Sequence, residues 1–102
     1  MVRFHRFMSA VDGVVTRRRG GLLRWQYDGR LVARQLDTTH VVIRSSFDTR
    51  DILLSQFPDT FSVPSRFAKH MMVVADLKNG DADAIQDAAM AAWTLQTTNG
   101  RR

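Results

Sequence analysis

Arg17, Arg18 and Arg19 stand consecutively in the sequence and run straight into Gly20-Gly21. A guanidinium presents a rigid fork of donors that matches phosphate oxygens two at a time, and a glycine pair lets such a run adapt to a phosphate backbone. Arg24, Arg30 and Arg34 follow within a segment of hairpin character, where Arg30 and Arg34 are expected on one face of the same strand. Arg17, Arg18, Arg19, Arg24, Arg30 and Arg34 are therefore the candidate nucleic-acid contacts. Contacts of this kind hold a protein on duplex DNA without reading its bases. The competing reading is a solvated basic edge that serves solubility alone. Trp25 and Tyr27 are able to stack on bases, but their alternation with Leu23 favours burial in a core.

Other chemistry finds less support. His5, His40 and His70 are too far apart in sequence to form a local chelating pair, and the absence of cysteine removes thiolate zinc sites, disulfides and cysteine nucleophiles together. Asp81-Ala82-Asp83 resembles a carboxylate pair, yet helix capping and the helix dipole account for it. There is no glutamate, and no nucleophile elbow, phosphate loop or His-Glu motif. Met71, Met72 and Met90 read as core filling. The expectation is a binding protein without catalysis, metal or cofactor.

The elements that must carry these residues follow from periodicity. Phe4, Phe7, Met8 and Val11 are spaced as the stripe of a short amphipathic helix that Asp12-Gly13 stops. Residues 12–21 read as a strand end followed by a flexible arginine loop. From Leu22 the period becomes two: Leu23, Trp25 and Tyr27 share a face, Asp28-Gly29 forms a tight hairpin turn, and Leu31 and Ala33 lie on the returning strand. Thr39 to Arg44 makes a third strand. Asp48 is the expected N-cap of a second helix with Ile52, Leu53 and Phe57 as its stripe, ended by Pro58. A short extended piece at Phe61-Ser62-Val63 precedes a buried strand from Met71 to Leu77. Asn79-Gly80 then turns the chain, and Asp81 caps a last helix packing through Ala82, Ile85, Ala89, Ala92, Trp93 and Gln96.

With 102 residues, 44% of them hydrophobic and 25% charged, the chain supports one core of its own. The expected domain covers residues 1–98, with a frayed tail at 99–102. No apolar run reaches the ~18 residues of a membrane span and the N-terminus lacks a signal-peptide core, so the expected location is cytoplasmic. Six arginines against Asp12 in residues 1–24 account for the whole net charge of +5. Such asymmetry points to a polyanionic partner.

The order and spacing of several features between Trp25 and Gln96 resemble the MmcQ/YjbR family. They are Trp25 followed by Asp28-Gly29-Arg30-Leu31-Val32-Ala33-Arg34, then Phe57-Pro58-Asp59-Thr60-Phe61, the stretch Lys69-His70-Met71-Met72-Val73-Val74-Ala75-Asp76-Leu77, and a closing helix with Ala92-Trp93. The start of the chain departs from that family, with a shortened first helix and Thr16-Arg17-Arg18-Arg19-Gly20-Gly21 in place of an acidic segment. The resemblance implies an α+β fold akin to double-wing DNA-binding domains, a mainly antiparallel sheet covered by helices, and a DNA-binding role. Two other classes stay open: a protein-interaction module that docks on an acidic partner, and a small-ligand-binding domain.

Overall fold

A computed structural model describes residues 1–99. The elements are α1 (Val2–Ser9), β1 (Val14–Arg19), β2 (Leu22–Tyr27), β3 (Arg30–Gln35), β4 (His40–Arg44), α2 (Phe47–Gln56), β5 (Phe61–Ser62), β6 (Met72–Asp76) and α3 (Ala82–Asn99), with one 3-10 turn at Ser65–Phe67. The strands form a six-stranded antiparallel sheet in the order β1-β2-β3-β4-β6-β5. The fold is α+β in a single small domain, as expected. Beyond Asn99, which closes α3, the expected tail lies outside the described residues.

The helices share one side of the sheet. Phe4 and Met8 of α1, Leu53 of α2 and Ile85, Ala89 and Ala92 of α3 bury against Trp25, Val41, Ile43, Val73 and Ala75 in one core. Alternation along β2 puts Leu23, Trp25 and Tyr27 on this side, as the sequence led one to expect. Trp25 is fully buried, edge-on to Phe4 with ring centroids 5.0 Å apart, and its Nε1 donates to His5 Nδ1 at 3.1 Å. Base stacking by Trp25 is thereby ruled out. In α2 the expected stripe shifts, because Ile52 faces solvent and Leu54 packs on the core beside Leu53. The cap shifts too: Ser46 Oγ accepts from Thr49 N at 3.1 Å, and Asp48 sits within the first turn. Asp81 caps α3 as expected, accepting from Ala84 N at 2.9 Å.

The arginine run is a strand, which corrects the expected flexible loop. Val14 to Arg19 pairs along its whole length with β2, from Val14↔Tyr27 to Arg19↔Leu22. Gly20 and Gly21 have φ of 58° and 80°, so the pair supplies the two left-handed residues of a tight hairpin turn and no slack. Asp28 and Gly29 close the β2–β3 hairpin in the same way, at 50° and 78°.

A second correction concerns β3. The register skips between Trp25↔Ala33 and Gln26↔Leu31, leaving Val32 as an extra residue in a β-bulge. Val32 and Ala33 are both buried against the core, so alternation breaks there. Arg34 consequently pairs with Arg24 on the outer face, whereas Arg30 pairs with Tyr27 on the helix side. The expected shared face of Arg30 and Arg34 is lost. Gln96 of α3 supports the irregularity by donating its amide to Leu31 O.

Gly80 meets a packing constraint. A Cβ there would collide with the Asp76 carbonyl oxygen and lie 2.8 Å from Thr60 Cγ2, at the turn that feeds α3. Gly80→Ala should destabilise the protein by about 1 to 3 kcal/mol, read as a lower urea midpoint at unchanged slope. A neutral substitution would mean that the turn relaxes freely.

Candidate nucleic-acid interface

The outer face of the sheet has two unlike halves. Over β4 and β6, Val42, Met72 and Val74 form a small apolar cluster covered by Phe67 and Leu36. The covering segment is tied down by Arg50, whose Nη1 donates to His70 O at 2.9 Å and Nη2 to Ala68 O at 3.1 Å. His70 itself is exposed and precedes β6 rather than lying within it. Over β1, β2 and β3 no described helix packs on the outer side, and that half carries arginine.

Direct cross-strand partners share a face, so the register fixes the pattern. Arg17 pairs with Arg24, and Arg24 pairs with Arg34. Three guanidinium side chains therefore stand in one row across three adjacent strands, about 5 Å from strand to strand. Arg66 extends the row: its guanidinium lies 4.7 Å from the Phe67 ring centroid, and that of Arg34 lies 5.7 Å from the same centroid. Burial, together with the charges of Arg24 and Arg66, lowers the pKa of Arg34 from its usual value. An arginine so far above neutrality keeps its charge regardless.

Like charges directly opposite each other weaken a sheet by a few tenths to about 1 kcal/mol per pair. Nothing offsets that cost locally: among the described residues the ion pairs are Arg30–Asp28, His40–Asp37 and His40–Asp76, and none reaches this row. The uncompensated row is what an anion would relieve.

Of the six sequence candidates, Arg17, Arg19, Arg24 and Arg34 share the outer face. Arg18 pairs with Leu23 and Arg30 with Tyr27, which puts both on the helix side. Arg18 Nη1 donates to Gly21 O at 3.3 Å, and Arg30 pairs with Asp28 at 3.2 Å. Sequence reasoning missed Arg66, which reaches the row through the fold of a distant segment. It also missed Arg44, placed on the outer face opposite Met72. Alternation within β4 would have aligned Arg44 with Val42, but no local pattern brings Arg66 beside Arg34.

At the far corner of the outer face His40 lies between two carboxylates, with Nδ1 3.0 Å from Asp37 Oδ1 and Nε2 3.9 Å from Asp76 Oδ2. The Thr39 backbone N–H, followed by the His40 side chain, holds the Asp37 carboxyl below its usual range. Asp76 is held low chiefly by the Asn79 backbone N–H, against a smaller opposing effect of burial. A depressed folded-state pKa stabilises the protein above the unfolded value of about 3.9 and ceases to do so as pH falls through the folded value. Asp37→Asn combined with Asp76→Asn should lower the melting temperature near neutrality, and the gap from wild type should close as pH falls from the unfolded value of about 3.9 through the depressed folded-state values. A gap independent of pH would sink this assignment.

Two surface hollows lie away from this face among the described residues. One of about 280 Å³ lies between the starts of α1 and α3, with Arg3 the one charged side chain among its described lining residues. The other, of about 410 Å³, lies between α2 and α3 and is lined among the described residues by Ser45, Ser46, Thr49, Thr94 and Thr98, none of them charged. Among the described residues no group of three histidine, aspartate or glutamate side chains is placed to hold a metal ion. No described helix is long and apolar enough to cross a membrane. Comparison with protein-family models, curated proteins and solved structures finds no match.

Proposed function

We propose that this protein binds DNA through phosphate contacts made by the outer face of β1, β2 and β3, without catalysing a reaction. The observation that carries the reading is the Arg17, Arg24, Arg34 row, three like charges in register with no carboxylate among them. Such a row costs folding energy, and a phosphate backbone supplies the compensating charge along a line. Arg19, two residues from Arg17 on the same face, adds a fourth contact. The resemblance to the MmcQ/YjbR family belongs to the same proposal, with the basic hairpin in the role of a wing.

The division of the six candidates between two faces makes the reading quantitative. Four phosphate contacts imply a slope of about −3.6 for log K against log salt on duplex DNA, whereas six would give about −5.4. Fluorescence anisotropy of a labelled generic duplex across a salt series measures it. Binding with a slope near −3.6 supports the outer face; no binding at low salt would remove the reading and direct attention to acidic protein partners.

A further inference from the structure

The outer face combines charge with exposed apolar surface in a fixed arrangement. On one side of the arginine row lie Val15 and its partner Gln26, and on the other lies Leu22, the partner of Arg19. Val15 is 47% exposed and Leu22 37%, two of the few large apolar side chains left open to solvent. The arginine row thus runs between two strips able to contact apolar surface, with an amide on one of them.

A duplex uses this arrangement poorly. The major groove is about 12 Å wide and admits a helix or a two-stranded ribbon, whereas this face is three strands broad. Duplex DNA would meet it only at the phosphate rim, leaving Val15 and Leu22 desolvated against charge. An unpaired strand differs, because its bases splay sideways from the backbone and expose apolar faces and hydrogen-bonding edges. The row from Arg17 to Arg34 spans about 10 Å in two steps of about 5 Å, and long arginine side chains can follow the phosphates of an unstacked strand along it. Arg66, stacked on Phe67 at the rim of the covered half, would hold the next phosphate.

We infer that the preferred ligand of this face is a single strand of nucleic acid lying across β1, β2 and β3, with successive phosphates on Arg17, Arg24, Arg34 and Arg66 and its bases over Val15, Gln26 and Leu22. The inference rests on the proposed DNA binding and names the form of the ligand. Duplex DNA is then a weaker ligand held by charge alone.

The test compares anisotropy titrations of labelled oligothymidine, oligouridine and a duplex, each about 12 nucleotides long, at low salt. The single strands should bind at least about fivefold tighter than the duplex, and the better of the two identifies DNA or RNA. V15T/L22T keeps strand propensity and removes apolar contact; it should weaken single-strand binding about fivefold and leave the duplex unchanged. Arg66→Gln should weaken single-strand binding, while Arg30→Gln on the opposite side should not. Duplex binding equal to or tighter than single-strand binding, or indifference of the single strands to V15T/L22T, would overturn the inference and leave DNA binding standing. Failure to bind any of the three would overturn the proposed function itself.

Discussion

Trp25→Ala should cost about 3 to 5 kcal/mol, the largest single loss expected in this protein. Trp25 has no exposed surface and lies where α1 meets the sheet, edge-on to Phe4 and opposite the bulge that buries Val32 and Ala33. Truncation would open a cavity between α1 and the sheet, and it would remove the indole donor from His5 Nδ1. A domain of this size has about 5 to 15 kcal/mol in all, so the variant would sit close to unfolding. The corresponding fall in melting temperature is about 15 to 30 °C. Trp93 provides the comparison: it is only partly buried, packs edge-on to Tyr27 at 6.1 Å and donates to Asp12 O at 2.8 Å. Trp93→Ala should cost less than Trp25→Ala in the same urea titration. A reversed order would mean that the helix-side core is centred on α3 rather than on the α1 contact.

The elements around Trp25 also mark how far the residues alone disclose the structure. The β2–β3 hairpin is legible because a half-buried strand writes its two faces as a period of two, and Asp28-Gly29 names its own turn. β1 hides for the opposite reason. An edge strand with one open face needs little apolar alternation, and Arg17-Arg18-Arg19 masks what there is. The Gly-Gly dipeptide after Val14, Val15 and Thr16 is a hairpin signal, and only the arginine run made it read as slack. The bulge is harder, because counting from Arg30 to Arg34 predicts one face by even spacing. The bulge goes with tertiary contacts instead: Val32 and Ala33 are both buried in the helix-side core, and Gln96 of α3 donates to Leu31 O. The candidate site was legible as composition, six arginines in a short stretch. Its geometry was not, since register divides the six and brings in Arg66 from a segment that Arg50 anchors.

Replacing Arg17, Arg24 and Arg34 together by glutamine should reduce duplex affinity about 100-fold at low salt while leaving the fold intact. Three charge-assisted contacts at a conservative ~1 kcal/mol each amount to about 3 kcal/mol, slightly more than two decades in affinity. The salt slope should shrink at the same time from about −3.6 to about −0.9, because Arg19 alone of the four proposed phosphate contacts remains. Glutamine keeps much of each aliphatic stem, so packing of the half-buried Arg34 near Phe67 is largely preserved. Stability should hold or rise slightly, since the substitution removes two like-charge pairs, Arg17 with Arg24 and Arg24 with Arg34. The matched control is R18Q/R30Q, which removes two charges from the helix side. A general attraction to net charge would make the loss follow the number of arginines removed, so the control would lose about two thirds as much binding energy as the triple variant. A built interface would leave the control near wild type. The two outcomes separate a phosphate-binding row from a merely basic protein, and a triple variant that binds as well as wild type would exclude the outer face as the site.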